Sequence, residues 1–255
     1  MVKFFSSLFI FLFISSINLA SSYATTTSYN VLRFGAKGNG VADSTQAFAK
    51  AWAAACASTE SATINVPKGR YLLGYVAFNG DCKSSDITFR IDGTLVAPAD
   101  YCVLGQADNW LSFEGVSGVS IIGGALDAKG SSLWACKASG TNCPDGATMF
   151  HIVINGCKDV HIEGVTVIAP GNSPNTDGIH VQLSTNAKIM NCTIKTGDDC
   201  IPIGPGTKNL WIERVTCGPA HGISIGSLGK DMNDEGVQNV TVIRTVFTGT
   251  QNGLL

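Results

Sequence analysis

The sequence predicts an all-β fold, namely a right-handed parallel β-helix with an N-terminal capping helix. Three short segments repeat at a spacing of 22 residues, and they place Asp177, Asp199 and His221 at the same point of each repeat. A fixed period of this size is typical of solenoids, and apolar residues that alternate at period 2 indicate strands. If one period is one coil, the three residues stand above one another, about 4.8 Å apart. Asp198 lies beside Asp199 on the same coil.

A second pattern through the rest of the chain supports the same fold. Apolar residues recur in a common frame that begins at Val119, Val160, Ala187, Leu210 and Val240. The last four copies are 27, 23 and 30 residues apart, as expected when loops of different length are inserted between stacked strands. No fixed Leu/Asn frame recurs, which argues against leucine-rich repeats, and a propeller would need longer four-stranded periods.

The first residues have the features of a secretory signal peptide. Lys3 precedes an apolar run from Phe4 to Ile14, and Ser22-Tyr23-Ala24 offers a small-x-small cleavage pattern. Serines interrupt the run, which falls short of the about 20 apolar residues that a membrane-spanning helix needs. We therefore expect a signal peptide at 1–24 and a β-helix domain at 25–255, secreted to the extracellular region or cell wall and free of the membrane after cleavage.

Two elements are predicted ahead of the repeats. Tyr29 to Phe34 is a strand candidate, and a helix is expected from about Ser44 to Cys56. Asp43 followed by Gln46 gives this helix a start that is similar to a capping box. Because a solenoid exposes the apolar end of its first coil, we interpret the helix as a cap rather than as an ordinary surface helix.

Composition excludes some classes of function. Charged residues make up 14% of the chain, and removal of 1–24 takes away only Lys3, which leaves 16 basic against 19 acidic residues. This balance does not provide a basic surface for nucleic acid. No Cys/His cluster has the spacing of a zinc site, so we expect neither a metal nor a cofactor. We expect the protein to be a monomer.

The nine cysteines fit an exported protein, in which disulfide bonds persist. Cys136 and Cys143 bracket an insertion rich in Gly, Ser and Asn that a small disulfide loop could close. Asn191 and Asn239 begin N-glycosylation sequons, which matter if the chain enters the secretory pathway.

The charged residues of the repeat indicate acid and base catalysis. An Asp-Gly pair alone is usually a turn, and an Asp-Asp pair alone is more often a solvated surface feature. Here Asp177, Asp198 and Asp199 converge with the imidazole of His221 on one face of adjacent coils, in a chain poor in charge. Like charges this close cannot all ionise cheaply, so at least one carboxyl pKa is expected to be raised. Glycoside hydrolysis requires a protonated carboxyl beside ionised carboxylates.

At these segments the sequence resembles the plant polygalacturonases, glycoside hydrolases of family 28. The resemblance rests on three of the four signature motifs of that family, in the right order: Asn175-Thr176-Asp177-Gly178-Ile179-His180, Gly197-Asp198-Asp199-Cys200, and the run from Gly218 to Gly229. It extends from about Tyr29, where Arg33 to Lys37, Ala51-Trp52 and Cys56 also match, to Gly253.

The resemblance implies a fold and a reaction. The fold is the right-handed parallel β-helix, and the reaction is hydrolysis of α-1,4 bonds in de-esterified homogalacturonan (pectin) with inversion at the anomeric carbon. Residue by residue, it makes Asp198 the general acid, gives Asp177 and Asp199 the task of holding and activating water, and has His221 support the protonation state of the acid. It also implies substrate contacts at Asn175 and Gly222, and a disulfide bond between Cys200 and Cys217 beneath the cleft.

The sequence departs from the family pattern at its end. The fourth motif, Arg-Ile-Lys, normally follows an Asn-Gly pair and binds the uronate carboxylate, whereas Asn252-Gly253 is followed only by Leu254-Leu255. We therefore expect a truncated chain, from an incomplete gene model or a splice variant, that lacks C-terminal coils and has little activity. Lys195, Lys208 and Lys230 are interpreted as surface lysines.

Two further departures are milder. Pro202 stands where the family has Ser or Ala, so a stacked strand would lose one hydrogen-bond donor. Ala220 replaces the Gly before His221, which matters only if this position needs a positive φ. An alternative function is a catalytically inactive pectin-binding β-helix without the Arg/Lys clamp. A pectate lyase is less favoured, because that chemistry uses a Ca²⁺ site and an arginine base.

Overall fold

The computed structural model of the protein describes residues 26–255 except 101–102, 105–106, 108, 130–134, 137–138, 141–149, 174 and 231. The expected signal peptide at 1–24 lies outside the described residues, and so does Cys143 of the expected Cys136–Cys143 loop. None of the helices in the described ranges has the length and apolar character to span a membrane.

The strands of the described residues form two sheets, and the strand pairs within them are parallel. The first sheet contains β1 (Thr26–Asn30), β2 (Asn39–Asp43), β3 (Ser61–Val66), β4 (Arg70–Leu72), β6 (Ile87–Val96), β8 (Val119–Asp127), β10 (Lys158–Glu163), β11 (Thr166–Ile168), β13 (Thr185–Met190), β14 (Thr193–Lys195), β16 (Lys208–Glu213), β17 (Thr216–Cys217), β19 (Gln238–Ile243) and β20 (Val246–Phe247). The second sheet contains β5 (Val76–Asn79), β7 (Asn109–Glu114), β9 (Phe150–Asn155), β12 (Ile179–Gln182), β15 (Asp199–Ile203) and β18 (Gly222–Ile225).

The register of the first sheet confirms the predicted frame. Val160 pairs with Ala187, Ala187 with Leu210, and Leu210 with Val240, so each copy of the frame is one coil. The first three of these side chains are buried, and Val240 packs against the same apolar core. The chain is therefore a parallel β-solenoid whose interior is filled by the alternating apolar residues of both sheets.

The predicted strand from Tyr29 to Phe34 is wrong in its second half. β1 ends at Asn30, and Val31–Phe34 form a 3₁₀ helix instead. The Asn30 side chain accepts a hydrogen bond from the Leu32 N–H, and Gly35, at φ 100°, closes the turn by donating to the Leu32 carbonyl. This local bonding of an Asn side chain to the backbone competes with the extended conformation.

The predicted helix is present as α1 (Thr45–Cys56), but it begins without a capping box. Asp43 accepts hydrogen bonds from the Thr45 N–H at 2.8 Å and from the Thr45 hydroxyl at 2.5 Å, and no hydrogen bond joins Asp43 to Gln46. The helix contacts β1, β3 and β5 at the start of the solenoid, as expected for a cap. Its Trp52 ring stacks on Phe89 with the centroids 5.9 Å apart.

Two disulfide bonds have both of their cysteines among the described residues. The bond implied between Cys200 and Cys217 is present, with the Cα atoms 5.9 Å apart, and a second bond joins Cys56 to Cys82. Cys157 and Cys192 are buried free thiols.

We expect loss of the Cys200–Cys217 bond to destabilise the fold. The two residues are 17 positions apart, and a loop of this size is stabilised by about 3 kcal/mol when it is cross-linked. The double variant Cys200→Ala/Cys217→Ala should therefore lower the free energy of unfolding by about 2 to 4 kcal/mol in urea titrations. Cys192→Ala, which removes only a buried thiol, is the control, and an equal loss in both proteins would contradict the expectation.

Candidate active site

The three repeated segments meet on neighbouring strands of the second sheet. Val181 of β12 pairs with Ile203 of β15, which pairs with Ile225 of β18. Asp177 lies just before β12, and His221 immediately precedes β18. Asp199 is the first residue of β15, and Asp198 immediately precedes it. The spacing of 22 residues in the sequence therefore brings all four predicted side chains to one end of three stacked strands.

The expected alignment of Asp177, Asp199 and His221 is wrong at its third member. A register shift between Asp199 and Ile201 places Gly222, not His221, opposite Asp199. His221 lies beside Asp198 instead: its N–H donates to the Asp198 carbonyl at 2.8 Å, and its Nδ1 is 3.1 Å from Asp198 Oδ1. The bulge thus creates a direct contact between the imidazole and the carboxyl group that the resemblance makes the general acid.

The Asp198 carboxyl group is fixed by three neighbours and still reaches solvent. Besides His221, the backbone N–H of Asp199 donates to its Oδ1 at 2.9 Å, and the backbone N–H of Asn175 donates to its Oδ2 at 3.0 Å. Asn175 has φ 56°, a conformation that Asn tolerates better than most residues. The Asp198 side chain is 21% exposed, so its orientation is set while it remains accessible to a substrate.

Asp199 is tied to the next coil by a serine that the sequence reasoning did not single out. The Ser224 hydroxyl donates to Asp199 Oδ2. Burial raises the pKa of the Asp199 carboxyl and the charge of Asp198 adds to this rise, while the Ser224 hydrogen bond opposes it. Ser224 lies two positions after Gly222 on β18. Because residues two apart lie on the same face of a strand, this alternation was the sequence signal that could have indicated Ser224.

Asp177 is the most enclosed of the three carboxyl groups, with 7% of the residue exposed. Burial is the main reason that its pKa is raised, and the charges of Asp198 and Asp199 add to the rise. His180, whose Nδ1 lies 3.9 Å from Asp177 Oδ2, acts in the opposite direction. The prediction that crowding raises at least one carboxyl pKa is thus met by Asp177 and Asp199.

A buried histidine on the adjacent strand β9 contacts the backbone of Asp177. His151 on β9 is fully buried, and both its backbone N and its Nδ1 contact the Asp177 carbonyl oxygen, at 3.0 and 2.8 Å. Burial lowers the pKa of His151 to about 4. His151 therefore supports the site as a neutral imidazole.

This burial predicts a loss of stability in acid. The unfolded chain protonates His151 as the pH falls below about 6.5, whereas the folded chain does so only near its pKa of about 4. The contribution of the neutral imidazole to the free energy of unfolding is therefore complete above pH 6.5 and is lost as the pH falls between these values. The difference corresponds to roughly 3 kcal/mol. His151→Gln should remove this part of the change when the free energy of unfolding is measured at pH 7.5 and 4.5. Identical pH dependence in the two proteins would show that His151 is not responsible.

Gly222 has a visible packing role. It is buried at φ 136°, and a Cβ atom there would lie 2.7 Å from the carbonyl oxygens of Asn252 and Gly253. A side chain at this position would push the backbone of Asn252 and Gly253 away. Its implied contact with substrate, like that of Asn175, remains a prediction.

The two mild departures have different consequences. Pro202 lies inside β15, a strand with neighbours on both sides, and the register between β12 and β15 is reduced to the single pair Val181 and Ile203. This agrees with the expected loss of a donor. Ala220 does not have a positive φ, so the replacement of Gly creates no strain there.

The three lysines differ in their surroundings. Lys208 pairs with Glu235 at 2.7 Å on the surface, and Lys195 is exposed on β14. Lys230 lines a cavity of about 250 Å³ together with His180, Gln182, Ser227 and Asp234. Lys230 is thus the member of this set that shares a cavity with His180.

One trio in the described residues could offer ligands to a metal. Asp198, Asp199 and His221 each provide an atom within 4.8 Å of the others. Hard cations such as Ca²⁺ take about six to eight oxygens, and a structural zinc takes four ligands. The hydrogen bonds among these groups already account for their arrangement, and the expectation that no metal is required remains a prediction.

Comparison with known sequences identifies the family. The profile described as glycosyl hydrolases family 28 matches residues 56–148 and 145–255, and one described as rhamnogalacturonase A/epimerase, pectate lyase-like, matches 28–76. A polygalacturonase of Prunus persica is 54% identical over 95% of this chain and 67% of its own length. An exopolygalacturonase of Platanus acerifolia is 45% identical over 89% of this chain and 66% of its own length. The chain thus spans about two thirds of these relatives.

Solved structures agree on the fold. The endo-xylogalacturonan hydrolase of Aspergillus tubingensis matches with a TM-score of 0.67 and 24% identity, over 90% of this chain and 67% of that one. The polygalacturonase of Erwinia carotovora ssp. carotovora matches with a TM-score of 0.61 and 22% identity, over 94% and 74%. These likenesses support the parallel β-solenoid, and the sequence matches show the family. The chain belongs to the glycosyl hydrolases of family 28.

Proposed function

We propose that the protein hydrolyses the α-1,4-galacturonosidic bonds of pectin, with polygalacturonate as its substrate. Family membership supports glycoside hydrolysis, and the printed names of the plant relatives supply the substrate class. The observation that carries the proposal is the Asp198 carboxyl group, which is partly exposed, is held by three neighbours and is adjacent to two carboxyl groups with raised pKa. We also propose that the protein is secreted and acts as a monomer.

The proposed mechanism uses one proton donor and one bound water. Three carboxyl groups this close cannot all ionise cheaply, so one proton remains among them. Asp198 delivers this proton to the glycosidic oxygen as the C–O bond breaks. Asp177 and Asp199 hold a water molecule, and one of them takes its proton while the oxygen attacks the anomeric carbon from the opposite face. His221, in contact with Asp198 Oδ1, supports the return of Asp198 to its protonated form.

The same geometry argues against the two rival functions. A pectin-binding protein without catalysis has no need for three carboxyl groups and an imidazole held in mutual contact, two of them at raised pKa. A lyase would need a Ca²⁺ site and an arginine base, whereas the groups that meet here suit acid and base hydrolysis.

The decisive experiment measures products from polygalacturonic acid. The protein is expressed from its complete reading frame in a secreting host, and its fold is checked by circular dichroism. We expect new reducing ends that appear first as the β-anomer in proton NMR, because inversion of an α bond gives a β product. Unsaturated products would indicate a lyase, and a folded protein that releases no reducing ends would favour the binding function.

A further inference from the structure

His180 is a partly enclosed histidine to which the proposed mechanism gives no role. It lies on β12, three residues after Asp177, and its side chain is 15% exposed. Its ring stacks on Phe150 of the neighbouring β9, with centroids 5.0 Å apart and planes inclined by 21°. The ring plane is therefore set by an aromatic contact rather than by the carboxyl group that it faces.

The two ring nitrogens of His180 have different neighbours. Nε2 is 3.2 Å from Gln182 Oε1, an amide oxygen that only accepts hydrogen bonds, so Nε2 carries a hydrogen. Nδ1 is buried without a hydrogen-bond partner in the described residues, and it lies 3.9 Å from Asp177 Oδ2. If neither Nδ1 nor the carboxyl group carried a proton, two lone pairs would face each other in an enclosed space, which is unfavourable.

From this geometry we propose that His180 is a positioning residue, which directs a proton on Nδ1 toward Asp177 Oδ2 and holds that carboxyl group ionised and oriented for the water. The proposal rests on the proposed function, because the water is the one that Asp177 and Asp199 hold. Gln182 contributes by fixing the hydrogen on Nε2, and Phe150 by fixing the plane of the ring.

The charges around Asp177 make such a partner necessary. Asp198 and Asp199 on the adjacent coil raise the pKa of Asp177 beyond the effect of burial. His221 contacts Asp198, and His151 lies beneath Asp177 with a pKa of about 4, so it brings no charge at neutral pH. Across the cavity beside His180, Lys230 and Asp234 carry opposite charges. His180 is thus the group in position to lower the pKa of Asp177.

The first test is an NMR titration of the Asp177 carboxyl carbon, which does not depend on turnover. In His180→Phe, which keeps a ring on Phe150 but has no nitrogen, the midpoint should rise by about one pH unit or more, since a nearby opposite charge lowers a carboxyl pKa by about 1 to 3 units. Gln182→Met should give a smaller rise. His161→Phe, the same replacement at a histidine on the first sheet that pairs with Glu163, should leave the midpoint unchanged.

The second test is the pH profile of polygalacturonate hydrolysis. His180→Phe should move the acid limb of kcat upward by the same amount, so that the rate below the limb falls about tenfold per unit, with KM changed less than twofold. His180→Gln, which retains a donor, should recover part of the rate. An unmoved carboxyl midpoint, or an increase confined to KM, would overturn the proposal. Wild-type protein without any hydrolysis would instead refute the proposed function and leave the titration to decide the role of His180.

Discussion

Asp198→Asn is expected to abolish hydrolysis while the fold stays intact. The two side chains are nearly isosteric, and the amide oxygen can still accept one of the two hydrogen bonds that the Asn175 and Asp199 N–H groups donate to Oδ2 and Oδ1. What is lost is the proton that reaches the glycosidic oxygen, and general acid catalysis contributes about 10² to 10⁴ in rate. We expect kcat on polygalacturonate to fall by this factor, with an unchanged circular dichroism spectrum and a urea midpoint that the lost hydrogen bond lowers only slightly.

The control for this variant is Asp86→Asn, at an exposed aspartate outside the site. It makes the same chemical change and should retain full activity. Turnover by Asp198→Asn at the wild-type rate would remove Asp198 from its proposed role as the acid. Loss of structure in this variant, but not in Asp86→Asn, would show that the three contacts of Asp198 matter for folding.

Gly178→Ala is expected to lower the stability of the fold strongly. Gly178 is buried between Asp177 and β12, and a Cβ atom there would lie 2.4 Å from the Cys200 carbonyl oxygen and 2.5 Å from Ile194 Cγ2. The first of these neighbours is backbone of the adjacent strand, so it cannot move aside without breaking the ladder. Overpacking of this kind costs about 1 to 3 kcal/mol and sometimes more, and we expect a loss of about 3 kcal/mol in urea unfolding.

Gly236→Ala is the matched control, because its Cβ atom would have no neighbour within 4 Å and its φ is not positive. It should change the free energy of unfolding by less than about 0.5 kcal/mol. Equal stability of the two variants would mean that the coils can separate locally at β12 and β15. Activity of Gly178→Ala should also fall, since Asp177 and Asp199 flank the displaced backbone.

The solenoid could be predicted from the sequence because each coil must bury apolar residues at the same positions. Val160, Ala187, Leu210 and Val240 occupy one position of successive coils, and the alternation needed to bury them is visible without any structure. The region from Val31 to Phe34 could not be predicted in this way. There the hydrogen bonds from the Leu32 N–H to the Asn30 side chain and from the Gly35 N–H to the Leu32 carbonyl outweigh the strand preference of the residues.

The sequence predicts which side chains form the site better than it predicts which atoms they contact. Asp177, Asp198, Asp199 and His221 do come together, because equal spacing on stacked strands requires it. The pairing of His221 with Asp198 depends on a shift of one residue, which a constant spacing of 22 residues does not reveal. The hydrogen bond from the backbone N–H of Asn175 to Asp198 could not be predicted either, because a residue type does not determine the direction of its backbone N–H.

The bulge between Asp199 and Ile201 has a consequence for how such proteins can change by gene duplication. Solenoids lengthen when the DNA that encodes one coil is copied, because the new strands pair with their neighbours as the old ones did. A copy of the coil that contains Asp198 and Asp199 would add two carboxyl groups but no imidazole, since His221 comes from the next coil. The copy would also separate the coil of Asp177 from the coil of His221, so neither Asp198 would have both neighbours. Duplication would therefore lengthen the scaffold and leave no complete site.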